Sequence, residues 1–211
     1  WWHYKMRDFP SIILQQSGAT LFAAQKLQLL EKHHDKFIKI THASCIFWNQ
    51  RAIKFRSFEE YYPWEEGYPP LAFSTLSIAR MVYEEVVSIE EVMPGLKVAS
   101  KQLQYRFEIQ AANQQIAGLA ALCWIHKISP NLVSISSINN IIEKTLRLQS
   151  NEGWFQEYDG PDLGYLSVTI DCLWDAFDAI GDIRLIESAE KALDFLDKMT
   201  SNTYGKSIGM H

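Results

Sequence analysis

The sequence YLSVTIDCLWDAFDAIGDIRLIESAEKALDFLDKM, residues 165–199, contains two helical patterns separated by one turn. Gly181 and Asp182 form the turn, because glycine favours the end of one helix and aspartate the start of the next. Before the turn, apolar side chains lie on two helix faces, and after it they lie on one. We therefore expect an inner helix followed by an outer, solvated helix. The apolar positions are Leu166, Ile170, Leu173, Phe177 and Ile180 with Val168, Cys172 and Ala176, and then Leu185, Ala189, Ala192, Leu196 and Met199.

The same helical periods recur through much of the chain and predict an all-α fold. The segment NLVSIS, residues 131–136, is an exception that could form a short strand. The other helical segments are residues 72–86 and 109–125, which have the inner pattern, residues 133–149, which have the outer pattern, and residues 21–30 and 37–48 near the N-terminal end.

A motif occurs twice, as FEEYYPWEEGY at residues 58–68 and as FQEYDGPDLGY at residues 155–165. Both copies have the form F-x-E-Y-x5-G-Y, and every matched position is separated by 97 residues. Self-similarity at a fixed distance marks a fold built by stacking one supersecondary unit. The motif therefore predicts a single domain, residues 1–211, with an internal repeat at residues 58–83 and 155–180.

The segment Leu146–Leu196, LRLQSNEGWFQEYDGPDLGYLSVTIDCLWDAFDAIGDIRLIESAEKALDFL, resembles a helical hairpin of the α/α-toroid superfamily. That superfamily includes polysaccharide lyases, toroidal glycoside hydrolases and, more distantly, terpenoid cyclases. The resemblance implies an array of helical hairpins whose loops lie on one rim. A closed ring of six hairpins needs more chain than this, so we expect an incomplete ring or a fragment. Such a ring is expected to associate with itself or with chain that follows His211.

Composition limits the classes of partner. A net charge of −5 and scattered Lys and Arg residues predict no nucleic-acid binding. The longest apolar runs are too short to span a membrane, so we expect none to do so. Cys45, Cys123 and Cys172 lie among apolar neighbours and are predicted to be buried thiols in a reducing, cytoplasmic compartment. No motif indicates a cofactor or a metal site.

The two aromatic and acidic loops predict a saccharide site, because aromatic rings stack on sugar faces and carboxylates accept hydrogen bonds from sugar hydroxyls. Each of these aromatic side chains could also seal a hairpin loop onto the core. The predicted substrate-binding residues are Tyr61, Trp64, Tyr68, Trp154, Asp159 and Tyr165.

Two reactions on a saccharide compete. A hydrolase needs two carboxyl groups, and Glu65 and Asp162 occupy matching positions of the repeat. A lyase or epimerase needs a base and a group that neutralises a uronate carboxylate; Tyr158 or Tyr165, Asn113, and His126 or His211 are the candidates. The family resemblance favours the second reaction, whereas the acidity of the rim opposes it.

Two other functions remain open. A half-ring with aromatic loops could be a non-catalytic module that binds carbohydrate or protein. A terpenoid-cyclase-like enzyme needs an Asp-rich run and aromatic faces, and Asp171, Asp175 and Asp178 lie on one helix face. Their spacing matches neither D-x-D-D nor D-D-x-x-D, and a solvated helix face explains it more simply.

Overall fold

The computed structural model describes residues 11–29 and 33–200. They form eight α-helices, preceded by a short 3-10 turn at Ile13–Gln16, and no strand is present in these residues. The prediction of an all-α fold is confirmed. The helices are α1 (Ser17–Lys26), α2 (His34–Phe55), α3 (Tyr68–Tyr83), α4 (Ile89–Tyr105), α5 (Ala112–Ile128), α6 (Ile135–Leu146), α7 (Leu163–Ile180) and α8 (Ile183–Lys198).

Two local predictions need correction. The segment 131–136 is not a strand: its first residues form a turn, and Ser134 caps α6 by accepting a hydrogen bond from the Ser137 N–H. Helix α4 was not among the predicted helices. Its N-terminus has a capping box, in which Ser88 and Glu91 satisfy each other's backbone N–H groups. This S-x-x-E signal was visible in the sequence, whereas Pro94 and Gly95 obscured the helical pattern that follows it.

Helix α5 lies at the centre of the fold, packed between α3 and α7. Helices α3 and α5 run parallel. Near their N-terminal ends the Tyr68 hydroxyl donates a hydrogen bond to Gln115 Oε1 at 3.0 Å. Near their C-terminal ends the rings of Tyr83 and Trp124 lie 4.9 Å apart. Most residues of α5 are buried, as its largely apolar sequence predicts.

Helices α5 and α7 are also parallel. The N–H of Ala112, the first residue of α5, donates to the carbonyl of Gln156 just before α7. At the other end, Lys127 Nζ donates to the carbonyl of Asp178 at 2.9 Å. Each odd-numbered helix packs against the even-numbered helix that follows it, so the chain forms four successive hairpins.

The three loops that lead into α3, α5 and α7 lie at the same end of these parallel helices. We call these loops, residues 56–67, 106–111 and 147–162, the rim. The three cysteines are buried free thiols elsewhere in the helices. None of the helices in the described part of the chain is both long and apolar enough to cross a membrane.

Candidate functional site

Two hydrogen bonds join the three loops of the rim into one surface. The guanidinium of Arg106 donates to the carbonyl of Glu66 at 3.0 Å, which ties the second loop to the first. The N–H of Tyr158 donates to the carbonyl of Gln110, which ties the third loop to the second. The two copies of the aromatic motif therefore lie on one side of the molecule.

Two aromatic residues of the rim have an unusual backbone conformation. Trp64 has φ 63° and Tyr158 has φ 54°, in the left-handed region that costs most non-glycine residues about 1 kcal/mol or more. Their side chains are 71% and 55% exposed, so core packing does not account for the conformation. In the described part of the chain, the other non-glycine residues with positive φ are Gln28, Arg56 and Glu85, which end helices α1, α2 and α3 in the usual way.

Other predicted aromatic residues divide into exposed and buried groups. Tyr61 and Tyr165 are exposed, as is Tyr62 beside them. Tyr68 is buried in the core and hydrogen-bonded to Gln115, so it lies where a rim ligand does not reach. Trp154 is half-buried against the core, and its indole N–H donates to Glu152 at 2.9 Å.

Each member of the predicted carboxyl pair accepts hydrogen bonds from backbone N–H groups nearby in sequence. Glu65 Oε2 accepts hydrogen bonds from the N–H groups of Glu60, Tyr61 and Tyr62, at 2.9, 2.7 and 3.3 Å. Asp162 is the N-cap of α7 and accepts from the Tyr165 N–H at 2.8 Å. These bonds hold each loop in shape and orient the aromatic residues. Asp159 is exposed beside Tyr158.

Among the described residues, His126 lies apart from the other groups predicted to serve a lyase or epimerase. Asn113 is buried, and its Oδ1 accepts from the next residue's N–H at 2.7 Å. His126 lies near the C-terminal end of α5, where its Nδ1 is 2.8 Å from the carbonyl of Val133, so it is at the end opposite the rim. His211 lies outside the described residues.

Glu157 is a buried titratable group of the rim that was not among the predicted site residues. It is 5% exposed, and its Oε1 accepts from the Asn113 N–H at 2.7 Å, at the N-terminus of α5. Its Oε2 is buried without a hydrogen-bond partner among the described residues. Burial raises the pKa of Glu157 to about 7, and the neighbouring charges of Asp162 and Glu108 contribute. Its place in the repeated motif was the signal that could have found it.

The rim carries more negative charge than the whole chain. Its three loops contain nine Asp and Glu residues and three Arg residues, whereas the net charge of the full chain is −5. The remaining sequence is therefore close to neutral. Glu66, Glu152 and Asp159 are exposed members of this acidic set.

A separate cavity of about 560 Å³ lies between α1, α3 and α7. Four of its charged side chains form ion pairs: Lys26 contacts Glu84 at 2.7 Å, and Arg80 contacts Asp175. Burial raises the pKa of Asp175 to about 6, although Arg80 opposes the shift. Asp175 thus joins α7 to α3. Among the described residues, no group of three or more His, Cys, Asp or Glu side chains is arranged to hold a metal ion.

No protein-family model, curated protein or solved structure matches this chain at a significant level. The functional proposal therefore rests on the residues and geometry of the rim.

Proposed function

We propose that this chain is a carbohydrate-active protein that binds a saccharide across the rim. The observation that carries the proposal is the pair of exposed aromatic residues, Trp64 and Tyr158, held in left-handed backbone conformations. Residues that the surrounding structure holds in strained conformations cluster at active sites and ligand-binding sites. A rigid turn that presents an aromatic face to solvent suits a sugar ring, whose apolar face stacks on it.

The arrangement of helices supports an α/α-toroid-like array. The parallel helices α3, α5 and α7 form one layer, and each has an antiparallel partner that follows it in sequence. In such an array, all loops that enter the inner layer lie at one end, as the rim does. We propose that α1, α3, α5 and α7 are the inner helices.

The proposed reaction is acid–base chemistry at a glycosidic bond, with Glu157 as the proton donor. A general acid must keep its proton near the working pH, and burial beneath the Tyr158 turn gives Glu157 a pKa of about 7. Asp162 and Glu108, whose charges act on Glu157, are further carboxyl groups of the same surface. The raised pKa of Glu157 favours an enzyme over a non-catalytic binding module.

The binding proposal is tested by removing the rings without changing the backbone preference. Asparagine tolerates the left-handed region, so Trp64→Asn and Tyr158→Asn remove the ring and leave the turn relaxed. We expect each variant to weaken oligosaccharide binding about fivefold, because one stacked ring contributes about 1 kcal/mol. Isothermal titration calorimetry with neutral, acidic and amino oligosaccharides measures this.

Trp174→Gln is the matched control, because Trp174 is an exposed aromatic residue of α7 outside the rim. It should leave binding unchanged. Equal loss in the control, or no binding by the wild-type chain to any class of oligosaccharide, would refute the saccharide site.

For the reaction, Glu157→Gln should preserve affinity and lower turnover by about a hundredfold or more. Unchanged turnover would remove Glu157 from the chemistry.

A further inference from the structure

The charge of the rim defines the class of saccharide that it can accept. Nine carboxylate residues and three arginines lie on these loops, and one of the arginines is already engaged. The Arg106 guanidinium lies 5.4 Å from the centre of the Tyr68 ring while it bonds to the Glu66 carbonyl. A uronate polymer would bring further negative charge to this surface, and like charges repel.

The exposed acids lie beside the strained aromatic residues. Glu66 follows Trp64 by two positions, and Asp159 follows Tyr158 directly. Each turn thus offers an aromatic face and a carboxylate within a few residues. An aromatic face attracts a cation through its ring quadrupole, and a nearby carboxylate adds a direct charge interaction.

Glu157 provides an independent sign that the acidic surface lacks a partner. Its Oε2 is buried and has no hydrogen-bond partner among the described residues. It also experiences the negative charges of Glu108 and Asp162. Buried polar atoms are normally satisfied, and an unsatisfied one at the rim indicates that a polar partner is missing there.

We propose that the ligand of the rim is a cationic saccharide, an oligosaccharide of amino sugars whose ammonium groups lie beside Glu66 and Asp159 while its rings stack on Trp64 and Tyr158. This inference rests on the proposed saccharide site and specifies its substrate class. It also selects against a lyase or epimerase that acts on uronates.

Three oligosaccharides of similar length test the charge class: β-1,4-linked glucosamine, its fully N-acetylated form and an oligouronate. At about pH 6 the first is cationic, the second is neutral on the same backbone and the third is anionic. We expect the cationic oligomer to bind at least tenfold more tightly than the neutral one, and the oligouronate to bind most weakly. The affinity for the cationic oligomer should fall as salt rises from about 0.02 to 0.3 M, because salt screens exposed charges.

Charge-only variants then locate the interaction. Glu66→Gln and Asp159→Asn should each weaken binding of the glucosamine oligomer severalfold and leave any binding of the acetylated oligomer unchanged. Glu187→Gln, an exposed substitution on α8, is the control and should change neither.

The outcomes separate the two proposals. If the acetylated oligomer or the oligouronate binds as tightly as the glucosamine oligomer, the cationic class is wrong and the saccharide site stands. If the two charge variants bind the glucosamine oligomer like the wild type, the named carboxylates are not its partners, and the inference is overturned. If none of the three oligomers binds, both the inference and the saccharide site are refuted.

Discussion

The two copies of the aromatic motif keep the same first half and differ in the second. Phe58 and Phe155 are both fully buried, and three residues later Tyr61 and Tyr158 are both exposed. The final tyrosines diverge: Tyr68 is 6% exposed, whereas Tyr165 is 45% exposed. The motif therefore fixes the turn, and a neighbouring helix decides what becomes of its last aromatic residue.

Helix α5 is the neighbour that makes this difference. It packs on α3, where Gly118 faces Tyr68 so closely that a Cβ on Gly118 would lie 2.6 Å from the Tyr68 hydroxyl oxygen. In the described part of the chain, no further helix packs on α7 as α5 packs on α3. One side of Tyr165 therefore stays exposed to solvent. The last tyrosine of the motif is thus buried where a helix of the next hairpin covers it.

The largest expected effect tests the shared half of the motif. Phe58→Ala and Phe155→Ala should each lower the free energy of unfolding by about 3–5 kcal/mol, because each removes a fully buried ring. Urea unfolding followed by circular dichroism measures both. A loss below about 1 kcal/mol in only one variant would break the equivalence of the two copies.

Helical segments were predictable because their apolar period is strong. Residues 165–180 and 185–199 correspond closely to α7 and α8, and Gly181 ends α7 with φ 70° as the turn signal indicated. The failures occurred where local signals conflicted with packing. Pro94 and Gly95 disfavour a helix and interrupt the apolar pattern of α4. This helix is nevertheless stabilised by its capping box and by contact with α2.

The site was predictable only at the level of the loops. Exposed aromatic residues and acids were visible as a composition, whereas the burial of Tyr68 depends on α5, which is distant in sequence. Glu157 illustrates the same limit. Its carboxyl group is buried because the loop before α7 pairs with the start of α5, and no pattern within residues 151–165 specifies that contact.

A smaller effect is expected from Glu157 in the third loop, which should make the free energy of unfolding depend on pH. Glu157 has a folded-state pKa of about 7, above its ordinary value of 4.5. Between these values the folded chain keeps a proton that the unfolded chain releases, so rising pH should destabilise the fold through this window. Glu157→Gln removes the contribution, and its stability relative to wild type should increase by up to about 3 kcal/mol from pH 4 to pH 8.

Urea unfolding at several pH values measures this difference, with Glu187→Gln as the control. Asp175 has a folded-state pKa of about 6 and gives wild type and variant a common pH dependence, which the comparison cancels. A constant difference between Glu157→Gln and wild type across the range would show that Glu157 is solvated like an ordinary surface carboxyl group.

The smallest expected effect concerns the hydroxyl groups of the last tyrosines. Tyr68→Phe should lower the free energy of unfolding by about 1 kcal/mol, because its buried hydroxyl donates to Gln115, while the exposed Tyr165→Phe should change it very little.

Gly118→Ala sharpens the comparison, since its new methyl group meets the Tyr68 hydroxyl and should destabilise the fold by about 1–3 kcal/mol. In the Tyr68→Phe background part of that penalty should disappear, because the obstructing oxygen is gone. Combined with Tyr165→Phe, the penalty of Gly118→Ala should instead be additive. Thermal or urea unfolding of the single and double variants provides the coupling energies, and equal coupling to both tyrosines would mean that α5 does not account for their difference.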